Sequence, residues 1–353
     1  MRNLKSILIL TTVGFILVGV VFSSVFLIYA NQPAGKTRQE VTINIEPGMS
    51  LTQVANLLAS KRIIGNPTTF RIYTYLKGRQ SNIQAGEYLL SPSYKPEEIL
   101  KKLTAGVTVE HTVTIPEGYR LTEIADLMAT AGLANRKRFI EAARDPALVA
   151  EFNIPTEDLE GYLFPDTYQF RRQAGEKHII RTMLDTFRKR AFSAENQSRA
   201  KKLGFSFHQV VTLASLIEKE TGLETERQLI SSVFHNRLGR KMLLQTDPTV
   251  IYAIKDFDGN IRKKDLSIDS PYNTYRYPGL PPGPIASPGL DSILAALNPA
   301  ESEALYFVSK QDGSHQFSNN LIDHNQAVMK YQIRRNKNKS FLIIMLNNYL
   351  FFK

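Results

Sequence analysis

A chain of 353 residues with 43% hydrophobic side chains has room for about two domains and enough apolar surface for a real core. Its formal charge of +11 asks for an anionic partner such as nucleic acid, acidic lipid or an acidic polymer, and the lack of a helix-turn-helix signature or a basic patch interleaved with aromatics argues against nucleic acid. The absence of Cys excludes disulfides and thiolate metal sites, and six His without HxxxH or HExxH spacing supply no ligand set, so neither metal nor cofactor is expected.

Arg2 and Lys5 precede an uncharged apolar run from Ser6 to Ala30. About 20 apolar residues cross a bilayer, whereas a cleaved signal peptide has an apolar region of about 7–15 residues. The run therefore predicts a transmembrane helix over 6–30, with Ala30 as the residue a peptidase would use if it were cleaved instead. The basic residues before it place segment 1–5 in the cytoplasm and the remainder outside. Asn31 to Glu40 is polar, with Pro and Gly, and reads as a linker.

An internal repeat begins at Val41, where VTINIEPGMSLTQVANLLA is echoed by HTVTIPEGYRLTEIADLMA. Gly48 matches Gly118, Leu51-Thr52 matches Leu121-Thr122, and Val54-Ala55 matches Ile124-Ala125. Each copy reads as a short alternating strand, a Pro/Gly turn and an amphipathic helix. With two copies about 70 residues apart this is no solenoid. The units resemble LysM-type modules, small strand–helix folds that bind glycan; a plain β-α spacer would carry the same pattern. Between the copies Asn66–Tyr75 predicts a helix, Ala85–Leu90 a strand and Pro96–Leu103 a short helix; after the second, Lys137–Ala150 reads as helical. LEGYLFPDTYQF, Leu159 to Phe170, reads as a strand-and-turn wall whose Glu160 and Asp166 are candidate second carboxylates. His178–Arg190 is an amphipathic helix with a basic, solvated flank.

The line FSFHQVVTLASLIEKETG carries the strongest chemical signal. Ser206 and Gln209 form a capping box, Phe205 and Val210 have the spacing of a hydrophobic staple, and Gly222 is the expected C′ residue. At about 100° per residue Val210, Leu213, Ala214, Ile217 and Val211 share a face, and Glu218 falls inside that arc. A carboxyl in an apolar stripe is expected to have a raised pKa, as a general acid near neutral pH needs; a core Glu paired with Arg would look the same. The next helix, Glu226–Leu238, places Arg237 in its apolar face, where it calls for a carboxylate such as Glu218 or Glu220. Asp247-Pro248 reads as N-cap and N1 of a third helix, with Gln245 and Thr246 just ahead. Segment 270–289, SPYNTYRYPGLPPGPIASPG, holds six of the seventeen Pro and three Tyr, too stiff for a linker and suited to stacking on sugar rings. A helix from Pro288 to before Asn298, a hairpin around Asp312-Gly313 and a helix over Asn320–Gln332 complete the pattern. A basic run followed by about a dozen apolar residues, too short to span a membrane, forms an atypical tail.

LASLIEKETGLETERQLISSVFHNRL, LQTDPTVIYAI, SPYNTY, GLPPGPIASPG and DGSHQF, with LEGYLFPDTY upstream, resemble the YceG-like family of endolytic murein transglycosylases over roughly Val41 to Tyr331. The resemblance implies an α+β protein with a single N-terminal transmembrane helix, a LysM-like β-α region and a mixed catalytic domain with a helical core. The layout is a cytoplasmic tail 1–5, helix 6–30, linker 31–40, LysM-like module 41–106, second repeat 107–155, catalytic domain 156–335 and tail 336–353. It also implies cleavage of peptidoglycan strands at the MurNAc–GlcNAc bond to give 1,6-anhydro ends, at the inner membrane facing the periplasm, with cell-wall synthases as partners and a role as terminase of nascent strands. The family's catalytic Glu falls on Glu218; Asn236, Gln245, Tyr272, Asn273 and Tyr275 are expected to line the substrate cleft, supported by Glu220, Arg237 and Asp247. A membrane-anchored wall-binding protein without activity is one alternative. A hydrolase pairing Glu218 with Asp247 or Glu220 at about 5–9.5 Å is another.

Overall fold

The computed structural model describes residues 2–333; the atypical tail beyond Arg335 lies outside the described residues. Among the described residues fourteen α-helices accompany six short strands in three two-stranded sheets, an α+β fold with one long apolar N-terminal helix. The chain divides into two compact units. One holds everything up to Thr112 together with Gln169–Ala174, and the other holds Val113–Tyr168 and the chain from Gly175.

In the first unit α1 (Arg2–Asn31) is followed by β1 (Val41–Ile45), α2 (Leu51–Ser60), α3 (Pro67–Leu76), β2 (Gly86–Leu90) and α4 (Pro96–Ala105). α1 is long and apolar enough over Leu10–Asn31 to cross a membrane. β1 and β2 pair antiparallel with Val41 opposite Leu90, and the period-2 alternation turns Ile43, Ile45, Tyr88 and Leu90 inward. They pack on Val54, Leu58, Phe70, Tyr73, Ile99 and Leu103. Ser50 and Gln53 close a capping box at α2, and Asn66 caps α3 ahead of Pro67. Segment 31–40 is tied to the unit: Gly35 N–H donates to the Pro92 carbonyl at 2.9 Å, and the Ser91 hydroxyl to that of Thr37 at 2.8 Å.

The second copy of the repeat repeats the first locally. β3 (His111–Thr114) leads through Gly118 to α5 (Leu121–Thr130), as β1 leads through Gly48 to α2. Both glycines have positive φ, 86° and 75°, a backbone conformation that costs a side-chain-bearing residue strain. β3 pairs with β4 (Thr167–Phe170). The expected helix 137–150 is broken in two, α6 (Arg136–Ala142) and α7 (Pro146–Glu151), because Asp145-Pro146 is itself a cap and first-turn pair.

The rest of the second unit comprises α8 (Glu176–Arg190), α9 (Ala194–Lys202), α10 (Phe207–Glu220), α11 (Arg227–Gly239), α12 (Asp247–Ala253), α13 (Leu290–Leu297), β5 (Tyr306–Ser309), β6 (His315–Ser318) and α14 (Leu321–Val328). α10 is its axis. Every residue from Val210 to Ile217 is buried, and α9, α11, α12 and α13 pack around it. Its capping box forms as expected, with Ser206 N–H to the Gln209 side chain at 2.8 Å and the return bond at 3.2 Å. Thr221 is the C-cap and Gly222 follows without a positive φ, so the helix ends in extended chain and not in a left-handed turn. α13 begins at Leu290 with Gly289 as N-cap, two residues later than expected, because Ser287 is bonded to Gly118 and Tyr119.

Candidate active site

Glu218 sits in the last turn of α10 with only 8% of its side chain exposed. Its Oε2 accepts the Gly289 N–H at 3.0 Å, so the end of the Pro- and Tyr-rich loop closes directly on it. That N–H also belongs to the N-terminus of α13, where backbone donors favour an anionic group. Its Oε1 lies 3.9 Å from Arg227, whose own side chain is 11% exposed. The same guanidinium stands 3.7 Å from Glu117 and 3.7 Å from Asp291, both about half exposed. One buried cation thus holds three carboxylates from the turn after β3, α10 and α13.

The turn that delivers Glu117 is clipped in place. Gly118 N–H donates to the Ser287 carbonyl and Ser287 N–H to the Tyr119 carbonyl, each at 2.8 Å, while Lys219 Nζ donates to the Gly118 carbonyl at 3.2 Å. A Cβ on Gly289 would come within 2.0 Å of the Glu117 carboxylate, so Gly289 lets this acid lie against the N-cap. Partial burial, and then the charge of Glu218, holds the Glu117 carboxyl above its ordinary range, with Arg227 opposing.

Two residues apart on a helix, side chains leave about 200° apart, and Glu220 accordingly faces a second cluster. The Thr246 hydroxyl donates to its carboxylate, and desolvation pushes it up to about 7, helped by Asp247 and opposed by Arg237. Thr246, not Asp247, is the N-cap of α12. Asp247 instead accepts the Tyr275 hydroxyl at 2.5 Å. Gln245 just before it holds φ at +51°, uncommon for a side-chain-bearing residue, and its N–H donates to the Thr274 carbonyl at 3.1 Å.

Arg237 is buried, but its partners differ from the expected carboxylate. It donates to the carbonyls of Leu305 at 2.6 Å, Leu244 at 2.8 Å and Leu243 at 3.3 Å, and covers the Tyr306 ring at 5.1 Å. Three carbonyl dipoles satisfy the fork where the chain leaves α11, and Glu220 acts on it only through space.

Of the expected cleft residues, Gln245 and Tyr275 gather beside Glu220 and Asp247. Tyr272 leans on Tyr252 with ring centroids 4.8 Å apart and planes tilted by 46°, and Arg120 covers Tyr252 from 5.2 Å, giving a partly buried aromatic pair. Asn273 is fully buried and spends its amide on the Leu266 and Ile268 carbonyls at 3.0 and 2.8 Å. Asn236 donates to the Ser302 and Ala304 carbonyls at 2.8 and 2.9 Å. Glu160 accepts the first N–H of α5, from Leu121, at 2.9 Å, and burial pushes it up to about 7. An apolar cavity of 930 Å³ opens at the opposite end of α10, lined by residues such as Phe152, Phe187, Phe205, Pro281 and Pro282; Glu218 takes no part in it.

The model of the YceG-like family matches residues 43–330. The chain belongs to the YceG-like family. Among similar proteins, the endolytic murein transglycosylase of Bacillus subtilis strain 168 is 37% identical over 317 residues, 85% of this chain and 87% of its own. That of Streptococcus pneumoniae serotype 2 strain D39 is 33% identical over 329 residues, 84% of this chain and 59% of its own length. A crystal structure of a YceG-like protein from Listeria monocytogenes aligns with a TM-score of 0.57 at 35% identity, covering 82% of this chain and 99% of that one.

Glu117, Arg227 and Asp291 escaped the sequence reading. One signal for Glu117 was available: the turn of the first copy reads Glu46-Pro47-Gly48 and that of the second Pro116-Glu117-Gly118. The acid has moved next to the glycine that positions it.

The raised carboxyls give a stability prediction. Glu220 titrates near 7 in the folded protein against an ordinary 4.5, so between these values the folded state holds a proton the unfolded chain has lost. The contribution of this group to stability is then fully present below about 4.5 and is lost as pH rises through about 7. Glu220→Gln should flatten the decline in Tm across that window, with Glu160 and, in the same direction, Glu117 contributing to the slope that remains. An unchanged slope in the double variant Glu160→Gln/Glu220→Gln would show that neither carboxyl is raised.

Proposed function

We propose that this chain is a membrane-anchored lytic transglycosylase that cuts murein glycan strands internally, with Glu218 as its single acid and base. The observation that carries the reading is one nearly enclosed carboxyl, held between a helix N-terminus and a buried Arg, in a chain whose relatives are named endolytic murein transglycosylases. As an acid Glu218 protonates the glycosidic oxygen between MurNAc and GlcNAc. As the resulting carboxylate, held by the Gly289 N–H and Arg227, it takes the proton from the MurNAc 6-hydroxyl while that oxygen closes on C1. The tethered hydroxyl replaces much of the work of a second carboxylate by proximity, and the product ends in a 1,6-anhydro ring.

The remaining parts follow. Gln245, Tyr272 and Tyr275 meet sugars farther along the strand from the reacting bond, while Asn273 holds the 266–268 turn and Asn236 ties the 302–304 segment to α11. The β1-α2-α3-β2 arrangement of the first unit suits a LysM-like glycan module, with the second copy as a further β-α unit. α1 fixes the protein in the inner membrane with both units on the periplasmic side, where synthases extrude strands and a cut would terminate them. Incubating the full-length protein in vesicles with intact long strands tests the internal cut. An endolytic enzyme shortens the mean strand length steeply before disaccharides accumulate, whereas disaccharide release from the first time point would sink the endolytic reading.

A second reading has one observation in its favour. Glu117 and Glu218 both lie within 4 Å of the same Arg227 nitrogen, so a two-carboxylate hydrolase would use Glu117, and neither Asp247 nor Glu220, as partner. The fate of solvent oxygen separates the two.

A further inference from the structure

The apolar run Ser6–Ala30 is longer than a bilayer needs: at 1.5 Å per residue 25 residues reach about 37 Å against a hydrocarbon core of about 30 Å. The surplus is taken up at one end. Phe26, Tyr29 and Ala30 pack against the core of the first unit, with Phe26 5.4 Å and Tyr29 6.4 Å from the Tyr73 ring of α3. The unit is therefore fastened to the last turn and a half of α1 with no spacer. Asn31 comes five positions after Phe26, a rise of about 7.5 Å, comparable with the polar layer on one side of a bilayer.

What α3 shows on its outer face fits that height. Ile72, Tyr75 and Leu76 are 40%, 58% and 59% exposed, and their i, i+3, i+4 spacing makes them one stripe bordering Tyr73. The segment 61–79 around them carries Lys61, Arg62, Arg71, Lys77 and Arg79 and not one acidic residue. Lys77 has an exposed partner in Glu97 at 3.7 Å, and Arg79 reaches the Thr104 hydroxyl at 3.3 Å; both contacts are solvent-facing. A water-facing helix has no reason to show an apolar stripe between cations. A headgroup layer accepts both, since aromatic and aliphatic tips enter it and Lys and Arg reach lipid phosphates.

Building on the anchoring proposed above, we infer that Ile72, Tyr75 and Leu76, with Lys61, Arg62, Lys77 and Arg79, form a lipid-facing surface that seats the first unit on an anionic bilayer. The seat would hold this glycan-module candidate at the membrane surface, where strands emerge.

The chain has no Trp, so Tyr75→Trp in the full-length protein gives a single Trp at an exposed position, excited to the red of the Tyr residues, with Leu76→Trp as a second reporter. In floated vesicles rich in phosphatidylglycerol its emission should shift to the blue and be quenched at least twofold by lipid brominated near the headgroup. Adding Arg62→Glu, Lys77→Glu and Arg79→Glu should remove most of the quenching, and phosphatidylcholine vesicles should give less of it. Protein that floats while both reporters keep a water-like, unquenched spectrum would overturn the inference and leave the anchor standing. Equal quenching in neutral and anionic vesicles, indifferent to charge reversal, would overturn its electrostatic half. Protein that fails to float would overturn the anchor and the seat together.

Discussion

Glu218→Gln is expected to lower the strand-cleavage rate by a factor on the order of 10²–10⁴ or more, with Tm nearly unchanged. The amide keeps an oxygen for the Gly289 N–H and removes only the proton that has to move. Arg227 keeps Glu117 and Asp291 as partners, so no charge is stranded. Glu220→Gln and Asp247→Asn should cost less, because they act through Thr246 and Tyr275, away from the reacting bond. Turnover of labelled strands with Tm measured in parallel checks this, and a Glu218→Gln protein with full activity would remove Glu218 from the mechanism.

Arg237→Ala should be the most damaging change to stability, by about 3–5 kcal/mol in urea unfolding. Two buried carbonyls, on Leu305 and Leu244, and a part-buried one on Leu243 lose this donor at once, and Glu220 loses the positive charge that opposes its burial. Lys in its place keeps the charge without the planar fork and should recover part of the loss. A cost below about 1 kcal/mol would mean that water enters and satisfies the carbonyls. Such a result would make Arg237 a local surface residue in all but area.

The parts of this fold legible in sequence were those written in local chemistry. The Ser206–Gln209 box, the paired Gly48 and Gly118 turns and the Asp312-Gly313 hairpin each need only a few neighbouring residues to specify them, and each formed. Boundaries shifted where long-range bonds fixed a side chain or the backbone. Asp247 bonds Tyr275 and Thr246 stands at the α12 cap, and α13 starts later because the backbone of Ser287 is paired with Gly118 and Tyr119. The helical wheel also put Glu218 on the buried side of α10. It could not supply Arg227, Asp291 or Glu117, because these arrive from α11, α13 and a turn a hundred residues upstream. Arg237 misled for a related reason: an Arg in an apolar face signals a buried acceptor, but the pattern cannot distinguish a carboxylate from three converging carbonyls.

Cleavage of purified strands in water enriched in oxygen-18, with mass analysis of the new ends, bears most directly on Glu218 acting alone on a tethered hydroxyl. The internal attack predicts 1,6-anhydro ends that carry no solvent oxygen, in the wild-type protein and in whatever residual product Glu117→Gln forms. New reducing ends labelled with oxygen-18, lost in Glu117→Gln, would instead establish a two-carboxylate hydrolase and contradict the lyase.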